Sequence, residues 1–207
     1  MNNREETVFI VDDDDAFRES LRWLIESVGL QVETYASGNE FLAAYEAGKH
    51  GCLILDVRMP GINGLDLQND LCKRFPDLPI IVVTGHGDVP MAVRAMKAGA
   101  MEFIEKPFND QMLLESIEHA LGEEARIRKS KAYRDDICAR LETLTPREHE
   151  VMKRVVIGKS NRDIGEELNI SAKTVEVHRS RVMDKMKAVS IAELVRMACD
   201  VSLFENQ

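Results

Sequence analysis

The sequence predicts an open α/β domain, built on a doubly wound, five-stranded parallel sheet, followed by a smaller all-α domain. In residues 1–121, five β-rich segments alternate with segments of helical spacing, whereas residues 122–207 contain no strand-like segment. The charge changes at the same point: residues 1–121 carry 10 Lys+Arg and 21 Asp+Glu, net −11, and residues 122–207 carry 17 and 15, net +2. A chain of 207 residues is long enough for two domains that have different partners.

The predicted strands are TVFIVD, QVETY, CLILD, PIIVVT and MEFIE, and each is followed by a segment in which apolar residues recur with helical spacing. The third and fourth strands are almost wholly apolar, which is typical of central parallel strands covered on both faces. Five such βα units predict a flavodoxin-like sheet with strand order 2-1-3-4-5. The predicted helices cover residues 15–29, 38–48, 65–75, 89–99 and 110–121, and the apolar stripe of the first contains Phe17, Leu21, Leu24, Ile25 and Val28.

The remaining chain is predicted to be entirely helical. Residues 122–141 are highly charged and read as a connecting helix, since the Gly, Pro and Ser of a flexible linker are scarce there. Thr145, Pro146 and Glu148 have nearly the spacing of a capping box, which predicts the start of a helix. Two further helices, at 160–168 and 172–187, are separated by a tight turn, and Ser190 is predicted to cap a last helix.

Acidic and phosphate-binding side chains follow four of the five predicted strands. Asp12 and Asp13 end the first strand, Asp56 ends the third, Thr84 ends the fourth, and Lys106 follows the fifth. Because ligands of open parallel sheets bind outside the carboxyl ends of the strands, these side chains should converge on one site. Clustered carboxylates without His or Cys favour Mg²⁺, and a carboxylate such as Asp56 can become an acyl phosphate.

Three stretches of this half resemble a receiver domain of the FixJ type, over essentially all of residues 1–121: VDDDDAFRESL, LDVRMPGINGLDL and VTGHGDVPMAVRAMKAGAMEFIEKPF. The resemblance implies that Asp56 is phosphorylated and that Mg²⁺, with Mn²⁺ as a substitute, is the cofactor. It assigns metal binding to Asp12, Asp13, Asp56 and the backbone carbonyl of Arg58, and phosphate sensing or switching to Thr84, Lys106 and Phe103.

The segment LTPREHEVMKRVVIGKSNRDIGEELNISAKTVEVHRSRVMDKM resembles the LuxR-type helix-turn-helix of the same regulators, covering about residues 140–205. The second helix is expected to bury Val175, Val182 and Met186. Its exposed faces are expected to carry the basic side chains Lys173, His178, Arg179, Arg181, Lys185 and Lys187. A basic helix of this kind can enter the major groove of DNA. By family position, the side chains facing bases are those of Glu176, Val177 and Ser180, and those placed for phosphates are Lys173, Thr174, His178 and Arg179.

Together these resemblances are typical of a two-component response regulator of the FixJ/NarL family, with a receiver at 1–121, a helical linker at 122–141 and a DNA-binding domain at 142–207. They imply a sensor histidine kinase, promoter DNA and RNA polymerase as partners, a homodimer when phosphorylated, no membrane partner and a cytoplasmic location. The chain is expected to act as a regulator rather than an enzyme, with at most slow self-dephosphorylation.

Two other functions were considered. A Mg²⁺ phosphatase would need a general acid near Asp56, and the following residues, VRMP, provide none. A DNA-binding protein with an inactive receiver would require loss of the phosphoryl acceptor, and Asp56 is intact.

Overall fold

A computed structural model describes residues 6–46, 48–60, 64–85 and 87–201 of the chain. Two compact units are present, Met1–Arg128 and Lys129–Gln207. Among the described residues, no helix has the length and apolar character needed to cross a bilayer.

The first unit is built on a five-stranded parallel sheet. Its strands are paired in the order β2-β1-β3-β4-β5, which confirms the predicted topology. The strand bounds are β1 Thr7–Val11, β2 Gln31–Tyr35, β3 Gly51–Asp56, β4 Ile80–Thr84 and β5 Glu102–Glu105.

Side chains of the central strands alternate between two apolar cores, one on each face of the sheet, as the period of a strand requires. Phe9, Leu53 and Leu55 belong to the core on one face, whereas Ile10 and Ile54 belong to the other. All residues of β1, β3 and β4 are buried, which explains why the third and fourth strands read as continuous apolar runs.

The helices described in the first unit are α1 Asp15–Ser27, α2 Gly38–Ala44, α3 Gly64–Arg74 and α4 Val89–Lys97, together with the first part of α5 Asp110–Glu142. Two predictions about them were wrong in detail. The second helix was expected over 38–48, but Tyr45 leaves it because its ring stacks on Phe41 and packs edge-on against Phe9 in the core. Val28 was expected on the buried stripe of the first helix, but it lies just beyond the last turn and is exposed.

Helix α5 contains 33 residues and includes both the segment predicted as the last receiver helix and the segment predicted as a linker. It is unbroken at residue 122, and the division between the two compact units falls after Arg128. The boundaries 1–121, 122–141 and 142–207 stay a prediction.

Up to residue 201, the second unit contains four further helices: α6 Pro146–Val156, α7 Asn161–Leu168, α8 Ala172–Met186 and α9 Ile191–Asp200. The predicted capping box is confirmed, since Thr145 and Glu148 exchange backbone and side-chain hydrogen bonds at the start of α6. Ser190 caps α9, as expected from its position. The helices enclose a separate apolar core that includes Val151, Ile164 and Met186.

Candidate functional site

The carboxyl ends of β1, β3, β4 and β5 bring the predicted acidic site together. Asp12 and Asp13 directly follow β1, Asp56 is the last residue of β3, and Thr84 is the last residue of β4. Lys106 directly follows β5. Because these strands are parallel neighbours, all five residues lie at the same edge of the sheet.

The three carboxylates form a compact cluster. Asp12, Asp13 and Asp56 each place an oxygen within 4.8 Å of the others, with Asp12 and Asp56 buried and Asp13 exposed. The Lys106 ammonium lies 2.7 Å from Asp12 Oδ2 and 3.7 Å from Asp56 Oδ1. One ammonium cannot neutralise three carboxylates, so the cluster keeps an excess negative charge that favours a divalent cation.

Burial raises the pKa of the Asp56 carboxyl. The neighbouring charges of Asp12 and Asp13 add to this rise in pKa, whereas the Lys106 ammonium and a backbone hydrogen bond oppose it. That hydrogen bond is donated by the N–H of Arg58 to Asp56 Oδ2 over 3.1 Å. The carboxylate of Asp56 is therefore poorly solvated and close to both positive and negative groups, as expected of a nucleophile that works beside a bound cation.

The structure also brings the predicted switch residues to this part of the sheet. Thr84 is fully buried, and its backbone carbonyl accepts a hydrogen bond from the N–H of Lys106 over 2.8 Å. Phe103 lies on edge strand β5, is half-buried, and packs against the core on the α3 and α4 face. Nothing tests the predicted metal contact through the Arg58 carbonyl, which stays a prediction.

Two contributors to this site were missed by the sequence analysis. Gly64, the first residue of α3, packs directly on the acceptor strand: a Cβ there would lie 2.2 Å from the backbone oxygen of Asp56. The ring centroid of Phe17 lies 3.6 Å from Lys106 Nζ. The glycine could have been suspected from its place in GINGLDL, but the ring contact joins residues 89 positions apart and carries no local signal.

A helix-turn-helix is formed by α7, residues 169–171 and α8. Ser160 and Asp163 form a capping box at the start of α7, and Ser171 caps α8. The turn is tight because Asn169 adopts a left-handed conformation and a Cβ at Gly165 would lie 2.7 Å from the carbonyl oxygen of Ile170. Only glycine can occupy that position without moving the turn.

Helix α8 presents the predicted DNA-binding side chains on its outer surface. The buried stripe is formed by Val175, Val182 and Met186, as predicted. The exposed members of the predicted set are Lys173, Thr174, Glu176, Val177 and Ser180, whereas His178 and Arg179 are half-buried. The Arg179 guanidinium donates a 2.7 Å hydrogen bond to Asn161 Oδ1 on α7, so its orientation is fixed before any ligand arrives.

One expectation for α8 needs correction. Lys185 was placed on an exposed basic face, but its ammonium binds the buried carboxylate of Glu148 over 2.7 Å and the carbonyl of Thr143 over 2.9 Å. Lys185 therefore ties the last turn of α8 to the start of α6 within the domain. The sequence analysis assigned Glu148 only to the helix cap.

Replacing Glu148 by Gln should destabilise the second unit by about 1–3 kcal/mol at pH 7, because a charge-assisted hydrogen bond to Lys185 is lost. The Lys185 contact and the backbone N–H of Thr145 lower the pKa of Glu148 from 4.5 to about 2. Because the folded pKa is the lower one, the stabilisation is complete above about pH 4.5 and is lost as the pH falls towards about 2.

Urea unfolding followed through the amide NMR signals of α8 measures this effect at pH 7 and pH 3. The exposed Glu150→Gln variant on the same helix is the control and should change stability little. Equal stabilities of the two variants at pH 7, or a difference that does not shrink at pH 3, would contradict the prediction.

Comparison with known proteins assigns a family to each half of the chain. Residues 8–118 match the family described as the response regulator receiver domain, and residues 142–198 match the bacterial regulatory proteins of the luxR family. The transcriptional regulatory protein FixJ of Bradyrhizobium diazoefficiens is 44% identical over 199 residues, covering 96% of this chain and 97% of that protein. FixJ of Azorhizobium caulinodans is 47% identical over 191 residues, covering 92% of this chain and 90% of the relative.

Solved structures show the same relationship. The response regulator StyR aligns with a TM-score of 0.85 at 44% identity, over 93% of this chain and 98% of its own. Full-length FixJ from B. japonicum aligns with a TM-score of 0.59 at 43% identity, over 96% of this chain and 98% of its own. The chain belongs to the FixJ family of response regulators, the phosphorylation-dependent transcription regulators of two-component systems.

Proposed function

We propose that Asp56 is the residue that accepts the phosphoryl group, and that the donor is a phosphohistidine of a sensor histidine kinase. The observation that carries this assignment is the environment of the buried Asp56 carboxylate. The carboxylates of Asp12 and Asp13 lie close to it, and so does the positively charged ammonium of Lys106. In the transfer, an oxygen of Asp56 bonds to phosphorus while the phosphorus–nitrogen bond of the donor breaks, and the imidazole keeps the electron pair.

The donor set of this site fits Mg²⁺, with Mn²⁺ as a substitute. Asp12, Asp13 and Asp56 offer three carboxylate oxygens within 4.8 Å of one another and no nitrogen or sulfur ligand. The backbone carbonyl of Arg58 would complete the protein ligands. When bound, Mg²⁺ neutralises charge on the transferring phosphoryl group. Asp12, Asp13 and Asp56 would hold the cation, and Asp56 would also supply the attacking oxygen.

Lys106 and Thr84 would then sense the phosphoryl group by binding its oxygens. The Lys106 ammonium, already 3.7 Å from Asp56 Oδ1, pairs with a phosphoryl oxygen as a point charge. The Thr84 hydroxyl donates a hydrogen bond to another oxygen. Since the backbones of Thr84 and Lys106 are hydrogen-bonded, a shift at either residue reaches β5 and its aromatic switch residue, Phe103.

This shift would promote a homodimer through α4 and β5. Three apolar side chains of α4 are exposed to solvent near the edge strand β5: Val89, Val93 and Met96. A two-fold dimer predicts a pseudo-palindromic promoter site with half-sites about one helical turn apart. RNA polymerase is the expected downstream partner at that promoter.

In the second unit, we assign base contacts to Glu176, Val177 and Ser180, which are exposed along α8. Glu can accept a hydrogen bond from cytosine, and Val can contact a thymine methyl group. Phosphate contacts are assigned to Lys173, Thr174, His178 and Arg179, so that these four position the helix while the other three read sequence.

Sequencing the DNA bound by the protein, with and without beryllofluoride as a phosphoryl mimic, tests this function, and sedimentation of the same samples tests the dimer. We expect activation to produce a dimer and to enrich a two-fold symmetric site. A chain that remains monomeric at micromolar concentration, or that enriches no sequence, would count against the corresponding proposal.

Self-dephosphorylation is expected to be slow, and Arg58 provides a test. This side chain is exposed two residues after the acceptor, stays protonated, and so can cover the phosphoryl group without activating water. His86, two residues after Thr84, is also expected from the sequence to flank this approach and lies outside the described residues. Arg58→Asn should shorten the phosphoryl half-life several-fold, measured as loss of radiolabelled phosphate in Mg²⁺. An unchanged or longer half-life would contradict the proposal that Arg58 shields the phosphoryl group from water.

A further inference from the structure

The phosphate-sensing ammonium has a third neighbour besides the two carboxylates. Lys106 Nζ lies 3.6 Å from the centre of the Phe17 ring, as well as 2.7 Å from Asp12 Oδ2 and 3.7 Å from Asp56 Oδ1. The Lys106 side chain is only 21% exposed, so the ring and the carboxylates replace much of the water around the charge. This distance is well within the range of a cation–π interaction.

Phe17 is held in place both through its backbone and through its ring. Its backbone N–H donates over 3.1 Å to Asp14, which caps α1 directly after the acid pair. The ring packs against the core on the α1 and α5 face and meets Phe108 edge-to-face, with centroids 6.1 Å apart. The loop that carries the metal-binding acids therefore also fixes the ring, and Phe108 follows Lys106 by only two residues.

A fixed ring limits where the ammonium can go. Without the ring, the shorter contact to Asp12 would compete with the longer contact to Asp56 and would draw the flexible lysine towards Asp12. The face of an aromatic ring attracts a cation, whereas an aliphatic side chain of similar volume does not. The ring thus favours the lysine conformation in which both carboxylates are within reach.

We propose that Phe17 is a positioning residue for phosphoryl transfer and sensing: it holds the Lys106 ammonium beside the Asp56 carboxylate, where an incoming phosphoryl oxygen meets it. The proposal rests on the assignment of Asp56 as acceptor and Lys106 as sensor. It gives α1 a part in the chemistry besides its packing on the sheet.

Comparing Phe17→Leu with Phe17→Tyr separates the effect of the aromatic face from the effect of side-chain size. In the full chain labelled with ¹³C-lysine, the Lys106 ε-protons should show an upfield ring-current shift that Phe17→Leu removes and Phe17→Tyr keeps. The rate of phosphorylation by acetyl phosphate in Mg²⁺, followed by intact mass, should fall about 3- to 30-fold in Phe17→Leu. Phe17→Tyr should restore it to within about twofold of the original chain.

Leu24→Ala is the matched control, since Leu24 is partly buried in the same core, two turns beyond Phe17 on the same helix. It should leave the phosphorylation rate unchanged despite a loss of stability. A Phe17→Leu rate equal to that of the original chain, an unaltered Lys106 resonance, or an equal slowing by Leu24→Ala would overturn the proposal. Phosphorylation of Asp56→Asn would instead overturn the acceptor assignment, and the lysine resonance would still report the ring contact.

Discussion

Replacing Asp56 by Asn should abolish phosphorylation and, with it, the whole phosphorylation-dependent gain in DNA affinity. The amide is nearly the same size as the carboxylate but is a very poor nucleophile, so the phosphoryl group has no acceptor. Couplings between distant sites are commonly worth about 5- to 150-fold in affinity, and a loss of that size is expected. The substitution also relieves the crowding of like charges with Asp12 and Asp13, so the variant should fold at least as well.

Intact mass after treatment with acetyl phosphate and Mg²⁺ measures the first part, and DNA binding of the same samples measures the second. Asp66→Asn is the control, because Asp66 is an exposed carboxylate in the first turn of α3. It should gain one phosphoryl group as the original chain does. A phosphoryl group on Asp56→Asn, or none on Asp66→Asn, would contradict the assignment.

Replacing Gly64 by Ala should cost about 3 kcal/mol or more in stability of the first unit and slow phosphorylation strongly. The added Cβ would lie 2.2 Å from the backbone oxygen of Asp56 and 2.7 Å from the Cα of Val57. Both atoms belong to the backbone, so neither can rotate away, and the backbone that carries the acceptor must shift. The hydrogen bond from the Gly64 N–H to the Val57 carbonyl, 3.0 Å long, would be strained by the same movement.

Calorimetry of the full chain gives the stability change, and the acetyl phosphate assay gives the rate. Gly122→Ala is the matched control: Gly122 lies inside helix α5, and apart from its own stretch of helix no atom of the described residues lies within 4 Å of the added Cβ. That change should stabilise the helix by about 0.5–1 kcal/mol. Equal effects of the two substitutions would show that α3 does not press on the acceptor strand as the structure describes.

The sheet and the acidic site were largely predictable because both depend on short-range patterns. Strand segments such as residues 52–56 and 79–84 are almost wholly apolar before their polar last residue, and the order of βα units leaves few alternatives for their arrangement. Once the sheet is parallel, the carboxyl ends of its strands must meet. The positions of Asp12, Asp56 and Lys106 relative to strand ends were therefore sufficient to predict their convergence.

Most of the features that escaped prediction depend on contacts between residues far apart in the chain. Tyr45 ends α2 because an aromatic cluster holds its ring, which overrides the helical spacing of residues 38–48. Lys185 lies on a helix face that the pattern indicates as exposed, yet it pairs with Glu148, 37 positions earlier. Phe17 fits an apolar stripe on α1, and nothing in that stripe indicates that its ring contacts a lysine.

Reduction of the phosphorylated protein with borohydride, followed by peptide sequencing in a mass spectrometer, identifies the acceptor most directly. Borohydride converts an aspartyl phosphate to homoserine and leaves free aspartates unchanged, so the modified residue is marked in place. We expect homoserine at position 56 alone, and only in samples that contained Mg²⁺ during phosphorylation. Homoserine at Asp12 or Asp13, or a phosphorylated protein that yields none, would contradict the assignment of Asp56 as the residue through which this regulator is switched.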